Sequence, residues 1–200
     1  SDIPVPYVGK WVQYQLDQVP ENPKHQNFAQ GKSRKVAWFV SNCRAFNRRL
    51  EYARELGKYI QVDIYGRCGN MNCPRGQKVE ECFEMLATKY KFYLAFENSN
   101  CRDYITEKLF VNALRHNVLP IVMGAHPTDY HRSAPPNSYI HVDHFDSPAH
   151  LARYLHQLDR DDLAYNRYFE WKSKGEFINT FFWCRVCALL HADKDRRRKP

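Results

Sequence analysis

Between residues 97 and 108 the chain sets Glu97, Asn98 and Ser99 a few positions ahead of Tyr104, Glu107 and Lys108. These residues supply carboxylate and amide acceptors, two kinds of hydroxyl and one cation. A lysine at the start of a helix can hold a phosphate, because the unpaired N–H groups and the positive end of the helix dipole point the same way. A glutamate beside it can accept hydrogen bonds from ribose or sugar hydroxyls. The dipole contributes ~0.3–1 kcal/mol, and each charge-assisted hydrogen bond roughly 1.5–3 kcal/mol. Together they favour a diphosphate ester over a neutral sugar. The competing reading is a capped surface helix whose Glu107 and Lys108 are only solvated, and the pattern by itself does not choose between the two.

The elements that must position these groups are legible in residues 91–122, KFYLAFENSNCRDYITEKLFVNALRHNVLPIV. Short apolar and aromatic runs predict buried strands over 91–96 and 118–122. Between them lie a polar turn over 97–102 and an amphipathic helix over 103–116. Asp103 reads as the N-cap, and Asn117 as a left-handed stop. Ile105, Leu109, Phe110, Ala113 and Leu114 share the face that packs on the sheet. Tyr104, Glu107 and Lys108 cluster on the opposite face. Upstream, KVAWFV (35–40) and QVDIY (61–65) read as strands around a helix over 45–59, a parallel βαβ unit. Ser41 and Asn42 directly follow the first of these strands. Arg48 and Arg49 open the helix, and without further information both read as solvent charges.

Residues 79–89 read as a helix, 123–136 as a long loop able to close over a ligand, and 138–142 as a further strand. Asp146 or Ser147 caps a helix to residue 158, and helices over 161–171 and 176–191 complete the carboxyl end. The aromatics Tyr165, Tyr168, Phe169, Phe181, Phe182 and Trp183 suit either docking on another lobe or ordinary packing. His126 and His131 lie in the long loop, and no role is assigned to them. The expected fold is α/β, a doubly wound parallel sheet of Rossmann-like type, in which ligands bind above the carboxyl ends of the strands. Neither G-x-G-x-x-G nor a Walker A loop is present, which counts against hydride transfer and ATP hydrolysis.

The stretch FENSNCRDYITEKLFVNAL resembles the signature of the α1,3-fucosyltransferases, glycosyltransferase family ten, and the similarity runs from about Val36 to His191. SNCRAFNRRL, DIYGRCGNMNCPR and FENSNCRDY are most similar to the insect-type enzymes that fucosylate the N-glycan core. The resemblance implies one lobe of a two-lobe GT-B enzyme that uses GDP-fucose with inversion and without a metal cofactor. It also implies a donor site built from Ser41, Asn42, Arg49, Tyr93, Glu97, Asn98, Ser99, Tyr104, Glu107 and Lys108. Arg49 aligns with the family's diphosphate-binding arginine, and Tyr104 and Asn98 orient the diphosphate or fucose. Tyr93 and Phe96 read either as neighbours of the purine or as plain buried core. The general base belongs to an amino-terminal acceptor lobe, so no catalytic residue is assigned in this chain. An N-glycan is the implied acceptor, and a Golgi lumenal setting behind a membrane anchor the implied location.

Residues 1–34, with four prolines, read as a lead-in or linker with a short ordered piece around 11–16, residues 35–191 as the donor domain and 192–200 as a basic tail. The net charge of +8 raises a nucleic-acid alternative. It is the weaker one, because part of the excess sits in the tail and no zinc-finger spacing or RNA-binding aromatic motif is present. A positively biased cleft serves an anionic sugar nucleotide equally well. A nucleotide- or phosphate-binding module without turnover is the other rival. Seven cysteines suit an oxidising compartment, and the odd count leaves at least one outside any internal pair. Cys43 and Cys101 both follow predicted strand ends and are candidates to bridge, with one more local disulfide among Cys68, Cys73 and Cys82. The C-x-x-C pair Cys184 and Cys187 lacks further ligands for zinc. The family resemblance implies that these two tie to the amino-terminal half.

Overall fold

The computed structural model describes residues 9–15, 26–73 and 79–197. The prolines at 4, 6, 20 and 23, residues 74–78 and the last three residues of the tail lie outside these. Five parallel strands form the central sheet: β2 (Arg34–Phe39), β3 (Val62–Tyr65), β4 (Tyr90–Phe96), β5 (Leu119–Met123) and β6 (Ile140–His141). Their order is β3-β2-β4-β5-β6. The chain steps from β2 outward to β3, then returns across β2 to β4. The winding therefore reverses between β2 and β4, and ligands of such sheets bind above the carboxyl ends of the strands at that reversal.

β4 runs through the centre with all seven residues buried, as a strand covered on both faces must be. Phe92, Leu94 and Phe96 join Val36, Trp38, Leu119 and Ile121 on one face, under α1 (Arg49–Leu56) and α4 (Pro148–Arg160). Tyr93 and Ala95 face the other side with Val122, against α2 (Val79–Lys89), α3 (Pro127–Ser133) and the segment 108–116. Ser147 caps α4 by accepting from the His150 amide at 3.2 Å, one of the two caps the sequence offered. The short ordered piece near the start is β1 (Lys10–Gln13), antiparallel to β7 (Gly175–Ile178).

Four expectations change. The helix over 103–116 begins later and has another geometry: a π-helix, Lys108–Ala113, runs into a 3-10 turn, Leu114–His116. Asp103 is not its cap; it lies in the left-handed region at φ 59°, held by contacts to α3. Asn117 does stop the segment at φ 55°, and Leu109, Phe110, Ala113 and Leu114 form the buried face. The loop over 123–136 contains α3, nucleated by Pro127 in its first turn and by the His126 ring accepting from the Thr128 amide. The first part of 176–191 is β7, because β1 offers a strand edge; α6 (Phe182–Arg197) starts only afterwards and continues into the basic tail. Residues 161–171 divide into α5 (Asp162–Arg167) and a 3-10 turn, Glu170–Ser173.

Of the two expected disulfides, the local one forms between Cys73 and Cys82, whereas Cys43 does not pair with Cys101. Cys43 joins Cys68, since the ends of adjacent strands β2 and β3 bring them together. Cys101 is exposed and unpaired, as are Cys184 and Cys187. The aromatic set near the carboxyl end separates: Tyr165 and Phe169 enter the core, whereas Phe181 and Trp183 stay exposed.

Candidate functional site

At the carboxyl end of β4 the backbone leaves the sheet, and two cations meet at consecutive residues. The Arg49 guanidinium donates to the Phe96 carbonyl at 2.7 Å and to the Asn42 carbonyl at 3.0 Å. The Lys108 ammonium donates to the Glu97 carboxylate at 2.7 Å and to the Thr106 hydroxyl at 2.8 Å. Both groups therefore sit at the reversal between β2 and β4, where the sheet topology puts a ligand crevice. Helix α1 supplies Arg49 just after the β2 loop, and the π-helix supplies Lys108 as its first residue. Single turns of π-helix recur at functional sites.

Glu97 organises this corner. It is 1 % exposed and accepts from the Thr106 amide at 2.8 Å and the Thr106 hydroxyl at 2.9 Å, besides Lys108. A buried carboxylate so occupied does the work the sequence reading gave to Asp103, satisfying an amide ahead of the helix. Lys108 also reaches Glu107 at 3.4 Å. Burial alone would raise the Glu107 carboxyl, but Lys108 beside it and local hydrogen bonds hold it below the ordinary value. The Glu107 side chain is half exposed, with one carboxylate oxygen turned toward Lys108.

Arg49 is not the solvent charge that its spacing suggested. It is 3 % exposed and stacks over Trp38 at 5.5 Å from the ring centroid. Burial lowers its pKa, while Glu97, Tyr104 and Tyr93 oppose that shift. Its Nε has no hydrogen-bond partner among the described residues. Tyr104 is thus within electrostatic reach of Arg49, although it precedes the helix instead of sharing a helical face with Glu107 and Lys108.

Asn98, Ser99 and Asn42 lie in the loops that leave β4 and β2, and Asn42 lends its carbonyl to Arg49 and its side-chain oxygen to the Arg44 amide. Ser41 lies two positions past the end of β2, beside the Gly66 turn. Tyr93 and Phe96 cannot flank one purine as arranged here. Both are fully buried, and they lie on opposite faces of the sheet. Tyr93 packs edge-on against Phe39, and its hydroxyl accepts from Asn112 at 3.3 Å. A strand's side chains alternate, and 93 and 96 differ in parity, so each serves the core on its own face.

The sequence reading passed over Asn47, Thr106 and Asp129. Asn47 ties the β2 loop to the β4 loop, donating to the Glu97 carbonyl at 3.0 Å and the Asn100 side chain at 3.1 Å. Only Thr106 carried a sequence signal, as a hydroxyl two positions before the lysine. Among the described residues no three His, Cys, Asp or Glu side chains are placed to hold a metal ion. A separate cavity of about 360 Å³ opens at the other end of the sheet, lined by Phe28, Lys32, Lys89 and Asn117 among others. It contains none of the expected donor-site residues.

Residues 29–199 match the family described as glycosyltransferase family 10 (fucosyltransferase), carboxyl-terminal. The chain is 61 % identical over 200 residues to glycoprotein 3-alpha-L-fucosyltransferase A of Drosophila melanogaster, covering 100 % of this chain and 39 % of that protein. It is 45 % identical over 161 residues to alpha-(1,3)-fucosyltransferase C of the same species, covering 80 % and 37 %. A crystal structure of an alpha1,3-fucosyltransferase with GDP-fucose superposes with a TM-score of 0.61 at 23 % identity, covering 80 % of this chain and 47 % of that one. The chain thus spans about two fifths of the length of the two fly relatives. The structural likeness shows a fold of GT-B type.

Proposed function

Since the chain belongs to glycosyltransferase family 10, the fucosyltransferases, in its carboxyl-terminal part, we propose that it is the donor-binding half of an inverting, GDP-fucose-dependent α1,3-fucosyltransferase. The observation that carries this reading is the meeting of Arg49 and Lys108 at Phe96 and Glu97, on the reversal point of the sheet. Charge develops on the departing GDP as the bond to fucose breaks, and fixed cations aimed at that place lower the barrier. Lys108 contacts the diphosphate, relaxing its hold on Glu107. Arg49 acts from beneath, as a buried charge locked to two carbonyls. Glu107 and Asn98 take the sugar hydroxyls, and Tyr104, Ser41, Asn42 and Ser99 line the approach.

The acceptor in this reading is a GlcNAc of an N-glycan, with its core residue favoured, and the transfer takes place in the Golgi lumen. The 61 % identity to a glycoprotein 3-alpha-L-fucosyltransferase supports the first, and two disulfides in one small domain suit an oxidising lumen. The general base that removes the acceptor proton comes from the amino-terminal acceptor lobe.

Calorimetry with GDP and with guanosine tests the phosphate role. Lys108→Met is expected to weaken GDP by on the order of tenfold or more, the worth of one charge-assisted hydrogen bond, and to leave guanosine unaffected. Equal affinity for GDP in both proteins would refute the assignment. A wild-type chain that binds GDP, and that stays inert towards fucose transfer even when combined with the acceptor lobe, would favour the non-catalytic binding module.

A further inference from the structure

Two buried carboxylates hold the turn that joins β4 to the π-helix, and only one of them belongs to the donor-site set. Glu97 fixes its carboxyl end through Thr106. Asp129, on α3, fixes its middle. Asp129 is completely buried and accepts from the Arg102 Nε at 3.1 Å, the Asp103 backbone amide at 3.1 Å and the Arg132 guanidinium at 2.6 Å. Arg132 closes the cluster by reaching the Asp103 carboxylate at 2.9 Å. Asp103 adopts φ 59°, a left-handed conformation that residues other than glycine adopt sparingly and that the surroundings must support. Here its amide donates to Asp129 and its carboxylate accepts from Arg132, which Asp129 itself holds. Burial pushes the Asp129 carboxyl up, but the Asp103 amide and the Arg102 guanidinium outweigh burial and keep it below the usual carboxylate range.

The left-handed turn at Asp103 decides where the next residue goes, and the next residue is Tyr104. We propose that Asp129 is a positioning residue for the donor site: by holding Arg102 and Asp103 it sets the turn that presents Tyr104 to the GDP-fucose crevice. This deepens the donor-site reading given above and rests on it. Asp129 touches no part of the proposed crevice itself, and Arg102 and Arg132 stay largely exposed at its flanks.

The test compares wild type, Asp129→Asn, Arg132→Gln, Tyr104→Ala and the double variant Asp129→Asn/Tyr104→Ala. In Asp129→Asn, amide hydrogen exchange over 102–106 should accelerate about tenfold or more while exchange in β4 stays unchanged, the behaviour of a local opening. GDP affinity should fall on the order of tenfold. The double variant should bind GDP no more weakly than Tyr104→Ala alone, because both changes remove the same contact. Arg132→Gln alters only an exposed side chain, and it should give a smaller change of the same kind should Asp129→Asn not fold. Unchanged exchange over 102–106, or additive losses in the double variant, would overturn the positioning role. Wild-type protein that fails to bind GDP would overturn the donor-site reading instead, and the exchange comparison would still decide what holds the turn.

Discussion

Lys32 is a buried lysine at the amino end of the sheet, its ammonium donating to the Asn117 carbonyl. Burial first, then the charges of Lys91 and Lys172, lower its pKa from 10.5 to about 7. Lys172 follows the same course, down to about 8, through burial. A lysine lowered on folding binds a proton less readily in the native state than in the unfolded chain. Between about 7 and 10.5 the unfolded chain holds more protons, so stability rises with pH across that window. The penalty is fully present below about 7 and is gone above 10.5. Thermal melts from pH 6.5 to 9 are expected to show a rising Tm, with a limiting slope of about 1.4 kcal/mol per pH unit for one such group. Lys32→Met should flatten that rise, and an unaltered slope in this variant would exclude Lys32 as its source. Arg49 is the contrasting case. It keeps its charge through burial because two carbonyls and an aromatic face receive it.

Among the elements, the turn after β5 matters as much as the π-helix it faces. Gly124 sits at φ +146°, and a Cβ built there would lie 2.6 Å from the Glu97 Cβ and 2.8 Å from its Cγ. Glycine is required for both reasons: the conformation excludes other residues, and the backbone must pass against the carboxylate that holds Lys108 and Thr106. Gly124→Ala is therefore expected to cost about 1–3 kcal/mol of stability. It should also displace Glu97 and so weaken GDP binding, measured by denaturant unfolding and by calorimetry. A variant that lost stability and kept full GDP affinity would separate the Glu97 corner from donor binding. Position 124 reads in sequence as an ordinary loop glycine, because its constraint comes from a strand that is distant along the chain.

On the scale of the whole molecule, the described residues form a five-stranded parallel sheet and a separate β1–β7 pair, with Arg49 and Lys108 at one end of the larger sheet and a cluster of lysines at the other. In the proposed two-lobe enzyme the general base stands across the crevice on the other lobe. This chain alone is then expected to bind GDP and to transfer no fucose to an N-glycan acceptor. Measurable transfer by the isolated chain in a GDP-release assay would overturn the division of labour between lobes. Among the described residues no helix is long and apolar enough to cross a membrane, and α6 leaves Phe181, Trp183, Leu189 and Leu190 exposed near its start and along it.

The sequence by itself determined the parallel α/β alternation, because buried strands must be uniformly apolar and the helices between them periodic. The members proposed for the site that sequence alone brings together, Glu97, Tyr104, Glu107 and Lys108, are neighbours along the chain. Tertiary structure decided the rest. Whether Arg49 faces water or lies beneath Phe96, which cysteine meets Cys43, and that Asp129 instead of a helix cap holds Asp103 all depend on residues 25 or more positions apart. Such contacts leave no periodicity in the chain, since their energy appears only once the sheet brings the strand ends together.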